Sequence, residues 1–511
     1  MMKPNSPSRT RALKVLCAGA VLTLLPFAAA AEEGAIPAAV TDLVDSHFTQ
    51  FQEERHVPGM VWGIVKDGEL VYLKTSGLAN RETGKPVDAD SLFRIASMSK
   101  AFTALAILKL RDEGRLYLDA PAEYYVPELR DWTYPTTDSP RIRVRDLLSH
   151  VAGFVTDDPW GDRQQDMTEE AFTEILKQGV PFSGAPQTKF EYSNFGYALL
   201  GRIVTNVSGM PFDDYIVREI MQPLGMDSTG YDVFAADQDR RALGYRWEEE
   251  AFSPEPTLGR GVFGAMGGVQ TSANDYAKWV AFLLDAWPPR DGEETGPVKR
   301  ATVRELSQGL GFQQSFERPG LAGMEPCNLD VVYAKGFSAI ADCELGFTMT
   351  HSGGYPGYGS NVLLLPDQGI GIFGFANRTY AAPSGAVREA ALELKQAGLL
   401  PGRTSEPTAT LSEFYAIAGA VYEQGLLAPA DGRIAMNFLL DRSVPVRERE
   451  LAALKDQAGA CGTDAPVTPT GALSGTFSWT CEKGTIQGRV LLAPTTPPTF
   501  QAIDLRFTPA P

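Results

Sequence analysis

Strand-forming runs stand near both ends of one long stretch of this chain, and the residues between them read as helices and turns. Gly59-Met60-Val61-Trp62-Gly63-Ile64-Val65 and Leu70-Val71-Tyr72-Leu73 flank Lys66-Asp67-Gly68. Two apolar runs across an Asp-Gly step predict a β-hairpin, because Asp and Gly tolerate the positive φ of a tight turn. Strand signals return at 346–350, 361–365 and 369–375. Helical periodicity marks residues 36–55, 384–398 and, with Phe102, Leu105, Ala106, Leu108 and Leu110, about 98–113. Residues 116–269 mix short helices with Pro and Gly turns. Strands at both ends of a helical stretch predict an α+β fold, in which the terminal strands meet in one antiparallel sheet flanked by helices, beside an all-helical region. After the Pro401-Gly402-Arg403-Thr404-Ser405-Glu406-Pro407 stretch, expected as a linker, come a helix (411–426) and a hairpin-like run (473–507). These predict a small C-terminal α+β domain over 401–511.

The amino terminus carries Lys3, Arg9, Arg11 and Lys14, then an apolar run ending in Ala29-Ala30-Ala31. A basic start, a short apolar core and small residues at its end predict a secretory signal over 1–31, removed after Ala31. The expected organisation is therefore signal 1–31, main domain 32–400 and accessory domain 401–511, in a periplasmic or secreted protein. Removing the four cations of the leader takes the formal charge from −17 to −21. A surface that acidic repels phosphate backbones and anionic lipid heads, which argues against nucleic acid and peripheral membrane partners. No further stretch is long and apolar enough to span a bilayer, so no membrane insertion is expected once the signal is gone. Cys327, Cys343, Cys461 and Cys481 follow the leader, an even number suited to an oxidising compartment. Four cysteines allow three pairings, and local closure favours Cys327–Cys343 and Cys461–Cys481; four reduced buried thiols are the alternative. None forms a C-x-x-C pair, so zinc and redox-enzyme readings are weak; the expectation is no metal and no cofactor, as the resemblance given below also implies.

Three short motifs could do chemistry. Ser97-Met98-Ser99-Lys100 is the S-x-x-K of this chain. A serine hydroxyl is a weak nucleophile without a base in reach, and residues three apart at a helix start lie on one face. Burial and the positive helix end would lower the lysine toward a useful base. By itself such a tetrad arises by chance in a chain of this length. Tyr192-Ser193-Asn194 offers a phenol that can relay a proton and an amide that can bond both a lysine and a substrate carbonyl, or simply a turn asparagine beside a half-buried tyrosine. His351-Ser352-Gly353-Gly354, expected at a strand end, supplies glycines that let a substrate approach the backbone and free an N–H for an oxyanion. His351 alone is more often a satisfied core histidine. His150 reads as structural. The absence of any G-x-S-x-G removes the α/β-hydrolase alternative.

Order and context strengthen these signals. An S-x-x-K opening a long helix, a Y-x-N in the helical region and an H-S-G on a late strand resemble the serine β-lactamase and penicillin-binding superfamily. The likeness is to its class C branch, with D-Ala-D-Ala carboxypeptidases, D-aminopeptidases and esterases (peptidase family S12). Phe93-Arg94-Ile95-Ala96, Val144-Arg145-Asp146-Leu147-Leu148-Ser149-His150-Val151-Ala152-Gly153 and Met266-Gly267-Gly268-Val269-Gln270-Thr271-Ser272 look like the same family. The resemblance implies a β-lactamase/transpeptidase-like fold. It implies Ser97 as nucleophile, Lys100 as proton acceptor, Tyr192 in proton transfer and His351 at the position where many relatives carry lysine. Asn194, Ser352, Gly353 and Gly354 would bind substrate, with the N–H groups of Ser97 and Gly354 as the oxyanion hole. The implied activity is hydrolysis of a peptide amide or ester through an acyl-enzyme, on a small-molecule or peptide substrate. A weak β-lactamase and a non-catalytic penicillin-binding-like sensor are the alternatives, and oligomeric state stays open. A histidine near its ordinary pKa of about 6.5 holds a substrate carboxylate less firmly than lysine, which lowers the expectation of efficient β-lactam hydrolysis.

Overall fold

The computed structural model describes residues 36–156, 161–318 and 327–510; the predicted leader lies outside them. Helix α1 (Ala38–Glu54) precedes β1 (Gly59–Lys66) and β2 (Glu69–Asn80). Asp67 and Gly68 join these strands at φ of 51° and 89°, the double positive φ that a two-residue hairpin turn requires. A short β3 (Lys85–Pro86) follows, then helices α2 (Lys100–Asp112), α3 (Asn194–Ser208) and α4 (Ala273–Leu284). The chain returns to the sheet as β4 (Gly311–Arg318), β5 (Cys327–Tyr333), β6 (Ser338–Asp342), β7 (Gly346–Tyr355), β8 (Tyr358–Leu365) and β9 (Ile370–Ala376), and leaves it in α5 (Ser384–Gln396). Among the described residues these nine strands form one antiparallel sheet, in the order β3-β2-β1-β9-β8-β7-β6-β5-β4. β1 lies against β9, with Met60 opposite Ala376, so the first and last strands meet as expected.

Alternation along the strands divides the apolar side chains between two layers. Val61, Val65, Met349, Val362 and Phe375 share one core with the apolar residues of α2, α3 and α4. Met60, Trp62, Ile64, Leu363 and Ile372 face α1 and α5, where Val44, Phe48, Val387 and Ala391 meet them. Helix α2 is buried on all sides from Lys100 to Ile107, as befits a helix that is apolar all round. The α+β architecture follows from this division, and it lodges the S-x-x-K at the sheet–helix junction.

Two expectations need correction. The H-S-G motif does not end a strand: β7 runs on to Tyr355, because Pro356-Gly357 turns it straight into β8, with Gly357 at φ 87°. Strands β4, β5 and β6 were not expected from the sequence. Most of β4 is exposed, so its pattern is polar, and it lies at the sheet edge. Both cysteine pairings are present, Cys327–Cys343 and Cys461–Cys481. The first ties the start of β5 to the end of β6, the strand beside β7.

Beyond 401 the expected linker is docked. Arg403 donates its amide to the Asp367 carbonyl at 2.6 Å, and its guanidinium bonds Asp67 and the carbonyls of Leu284 and Trp287. The C-terminal segment then forms α6 (Ala409–Gln424), α7 (Met436–Asp441), α8 (Val444–Ala458) and strands β10 (Thr468–Gly471), β11 (Ser474–Cys481), β12 (Gly484–Ala493) and β13 (Thr499–Pro509). These strands make a second antiparallel sheet around a core of Phe414, Tyr422, Trp479, Ile486, Val490 and Phe500.

Gly353 shows how tightly the junction is built. A Cβ there would run into the Ile95 carbonyl and the Ser360 hydroxyl, which already bond each other at 2.8 Å. Gly353→Ala is expected to cost about 1–3 kcal/mol in urea unfolding, the usual penalty of overpacking, whereas Gly385→Ala, with open space at its Cβ, should leave the midpoint almost unmoved.

Candidate active site

Ser97 lies in a 3₁₀ turn, Ala96–Ser99, which runs directly into α2. From Ser91 to Lys100 every residue is buried except Ser97, which is half-buried and so reaches outward. Ala96 before it holds a φ of 50°, a conformation costly for a residue with a Cβ. The Ile95 N–H bonds the Val269 carbonyl at 3.0 Å, and the Ser99 hydroxyl accepts the Val269 N–H at 3.0 Å. The turn is thus pinned on both sides of the serine.

Lys100 is buried, and its amine lies 3.1 Å from Ser97 Oγ, 2.8 Å from Asn194 Oδ1 and 2.9 Å from the Met266 carbonyl. Asn194 opens α3, where the preceding Ser193 accepts the Gly196 N–H at 3.2 Å as an N-cap. That cap fixes the start of the helix and leaves Tyr192 and Asn194 half-buried on either side. The Tyr192 ring centre is 4.8 Å from the Lys100 amine.

Behind Tyr192 stands a buried wall of rings. His150 packs tilted against Tyr192 and edge-on against Tyr333, each at 4.3 Å between ring centres, and its Nδ1 accepts the Ser193 N–H at 3.0 Å. His351 on β7 meets the Tyr333 hydroxyl through Nε2 at 3.0 Å and the Ser352 carbonyl through Nδ1 at 2.6 Å. A carbonyl only accepts, so Nδ1 carries the proton and Nε2 accepts from Tyr333. Burial, followed by the nearby Lys100 cation, pushes His351 down to about 3 and His150 well below its ordinary value. Both rings are therefore neutral near pH 7.

Gly353 and His351 share the sheet face toward Ser97, whereas the Ser352 side chain is on the α5 face. There its hydroxyl, on an exposed residue, meets Ser384 Oγ at 2.8 Å and accepts from Asn361 Nδ2 at 2.9 Å. β6 pairs with β7 only as far as Thr350, so the stretch 351–355 keeps one free strand edge among the described residues.

A family model described as Beta-lactamase matches residues 44–397, well over half of the sequence. The chain belongs to the beta-lactamase family. Esterase EstB of Burkholderia gladioli is 33% identical over 214 residues, covering 40% of this chain and 54% of that protein. Protein flp of Staphylococcus aureus (strain NCTC 8325 / PS 47) is 28% identical over 345 residues, 65% of this chain and 62% of that protein. The chain thus spans less than two thirds of either relative. Among solved structures, the octameric penicillin-binding protein homologue from Pyrococcus abyssi aligns over 92% of this chain and 98% of its own at TM-score 0.57 and 22% identity. A β-lactamase/D-alanine carboxypeptidase from Pseudomonas syringae aligns over 70% and 99% at TM-score 0.55 and 22% identity. Both share the fold of this beta-lactamase family member.

Of the residues singled out by sequence, Ser97, Lys100, Tyr192 and Asn194 come together around one amine, and His351 joins through the ring wall. The Ser352 hydroxyl is not brought to them: it lies on the other sheet face, bonded to Ser384 and Asn361. Sequence reasoning missed Tyr333 and the Met266 carbonyl. A tyrosine ending an alternating strand carries no signal of its own, and a backbone acceptor leaves no trace in residue type. A concavity of about 1540 Å³ in the C-terminal segment, lined in part by Phe438, Arg447, Leu454 and Arg489, contains none of these groups.

The neutral histidines have a thermodynamic consequence in this family member. His351 binds its proton near 6.5 when unfolded and only near 3 when folded, so its contribution is intact above pH 6.5 and is lost as pH falls through that window. Each such histidine adds a slope of up to about 1.4 kcal/mol per pH unit. Urea unfolding between pH 6.5 and 4.5 should show stability falling toward acid, with a shallower slope in His351→Gln; an unchanged slope would show that His351 titrates normally.

Proposed function

We propose that this member of the beta-lactamase family is an exported serine hydrolase that cleaves carboxylic esters through an acyl-enzyme on Ser97. The observation that carries this reading is the setting of the Lys100 amine. Its neighbours Asn194 Oδ1 and the Met266 carbonyl can only accept, so once the amine gives up a proton they can keep its two remaining N–H groups and leave its lone pair for the Ser97 hydroxyl. That is the geometry of a base against its nucleophile.

In the acylation step Ser97 Oγ bonds the carbonyl carbon while its proton passes to Lys100. The carbon–alkoxide bond then breaks, and the proton reaches the leaving oxygen from the Lys100–Tyr192 pair. Water repeats the sequence on the acyl-enzyme, releasing the acid and restoring the Ser97 hydroxyl. Charge on the carbonyl oxygen needs fixed donors. The Pro356-Gly357 turn makes Tyr355 and Tyr358 a hydrogen-bonded pair, so ladder alternation turns the Gly354 N–H to the free edge of β7. With the Ser97 N–H it supplies the oxyanion hole.

An ester without a carboxylate fits this site better than a penicillin or a peptide with a free C-terminus. The third motif offers a neutral ring, both of whose nitrogens are already engaged by Tyr333 and Ser352, where a lysine would offer a cation. The EstB match, by the name of that protein, points the same way. Export is supported by the two disulfides, and no helix among the described residues is long and apolar enough to cross a membrane. We read 401–511 as an accessory domain, since its core holds none of the site residues.

Ser97→Ala and Lys100→Ala should each lower kcat/KM for p-nitrophenyl butyrate by at least about 10³-fold while the far-UV spectrum is retained, since such groups act as a unit. Activity surviving in the serine variant would refute the assignment. For the native enzyme, kcat/KM on nitrocefin should fall at least about tenfold below that on the butyrate, because a bond to a charged group contributes about 1.5–3 kcal/mol and the site lacks that cation. The reverse order would return the β-lactamase reading.

A further inference from the structure

Shortly before the nucleophile stands a buried cation whose partners are all neutral. Arg94 ends the two-residue strand Phe93–Arg94, which pairs with Gln270–Thr271 so that Arg94 and Gln270 lie opposite each other. Arg94 is 2% exposed and donates to the Leu258 carbonyl at 3.1 Å, to Gln165 Oε1 at 2.8 Å and to the Tyr355 hydroxyl at 3.4 Å. Its Nε–H is buried with no hydrogen-bond partner among the described residues. Arg241 repeats the pattern, with Nε and Nη1 both buried and unpartnered. Neither guanidinium has a carboxylate in ion-pairing reach among the described residues. Buried, unpartnered Nε groups recur at Arg145, Arg202, Arg246 and Arg388, but each of those side chains holds a carboxylate. Arg378 has no carboxylate either, but it does not line the cavity that Arg94 and Arg241 share.

That cavity is bordered also by Gln270, Tyr355, Tyr358 and Glu255. Its volume is about 10 Å³, room for one water or one monatomic ion. Burial raises the Tyr358 phenol, and Arg94 and Arg241 both pull it back down, so the two cations act on one ring. Glu255 is the acid at this place, and its carboxylate is already held by Arg163 and by the Thr379 hydroxyl at 3.0 Å. The Tyr358 hydroxyl is spent on the Ala242 carbonyl at 2.8 Å. The Tyr355 hydroxyl accepts from Arg94, which leaves its own proton to donate. Gln270 Oε1 is buried without a partner, and a turn of that amide would present its N–H groups instead. Two buried cations in one place are costly without an opposite charge. Water would satisfy the N–H groups and leave the charge standing, whereas a small anion meets both demands. The size of the cavity excludes a carboxylate or a phosphate.

We infer that this cavity binds one chloride ion, held by the free N–H groups of Arg94 and Arg241 and by the Tyr355 hydroxyl. Arg94 leads into the turn that carries Ser97, and Tyr355 follows Gly354 on β7. The ion therefore ties the approach to Ser97 to the end of the free β7 edge. It takes no part in proton transfer, and the site stands whatever bond Ser97 cleaves.

The test is made on the full chain in sodium chloride, sodium bromide and sodium gluconate at equal ionic strength, gluconate being too large for the cavity. About 0.3 M chloride should lift the melting temperature at least about 2 °C above gluconate and then level off, as saturable binding to the folded state requires. Bromide should act like chloride, and crystals grown in bromide should show an anomalous peak in contact with both guanidinium groups. In Arg241→Met the difference between chloride and gluconate should vanish, whereas in Arg218→Met, at an exposed arginine elsewhere, it should persist. The bromide crystal needs no variant, so a poorly folding Arg241→Met leaves the test intact. No anomalous peak between the two arginines overturns the inference and makes the cavity a water site. A peak without the saturable shift marks an ion forced in by the crystal medium and overturns it equally.

Discussion

One buried amine organises the site. Lys100 lies at the junction of the sheet and the helical region, and it is held by a side-chain amide from α3 and a backbone carbonyl from the 264–267 turn. Three separate parts of the chain must therefore be in register before the Lys100 amine meets Ser97 Oγ. The antiparallel closure of β1 on β9 brings the ends of the region together, and the buried α2 carries Ser97 and Lys100 to the face of β7. An unpartnered amine at this depth would be costly, so the folded arrangement of acceptors and the chemistry rest on the same contacts.

The surroundings of that amine are neutral and aromatic. His150, Tyr192, Tyr333 and His351 pack edge to face behind it, and both histidines are kept uncharged by burial and by Lys100 itself. Tyr333 holds the His351 ring in one tautomer, which makes the third motif a neutral positioning element where a lysine would place a permanent charge. Strain is gathered in the same place: Ala96 before the nucleophile, His150 in the ring wall and Tyr380 over Gly354 all hold positive φ. Each is fixed by backbone hydrogen bonds or by tight contact.

Much of this was legible in the sequence, for physical reasons. The Asp67-Gly68 hairpin, the all-apolar α2 and the late strands carry strong period and turn signals, and these settle the α+β layout. Spacing put Ser97 and Lys100 on one face, and Ser193 before Asn194 is an ordinary helix cap. The two disulfides followed from short closure. Other features left no local mark. β4 is an exposed edge strand with polar composition, and the continuation of β7 through H-S-G depends on glycines that do not advertise a strand. Tyr333 and the Met266 carbonyl act through tertiary placement alone, and the docking of 401–407 depends on Arg403 finding Asp67 and three carbonyls across the fold.

The central claim is that Ser97, and no neighbouring hydroxyl, is the nucleophile made reactive by this setting. Labelling the native protein with a fluorophosphonate and sequencing the tryptic peptide 95–100 by tandem mass spectrometry tests it directly. That peptide also holds Ser99, whose hydroxyl is buried and committed to the Val269 N–H, so the fragment ions carry an internal control. A single adduct per chain, on Ser97, is the expected result. An adduct on Ser99 or on another residue, or no adduct at all, would contradict it.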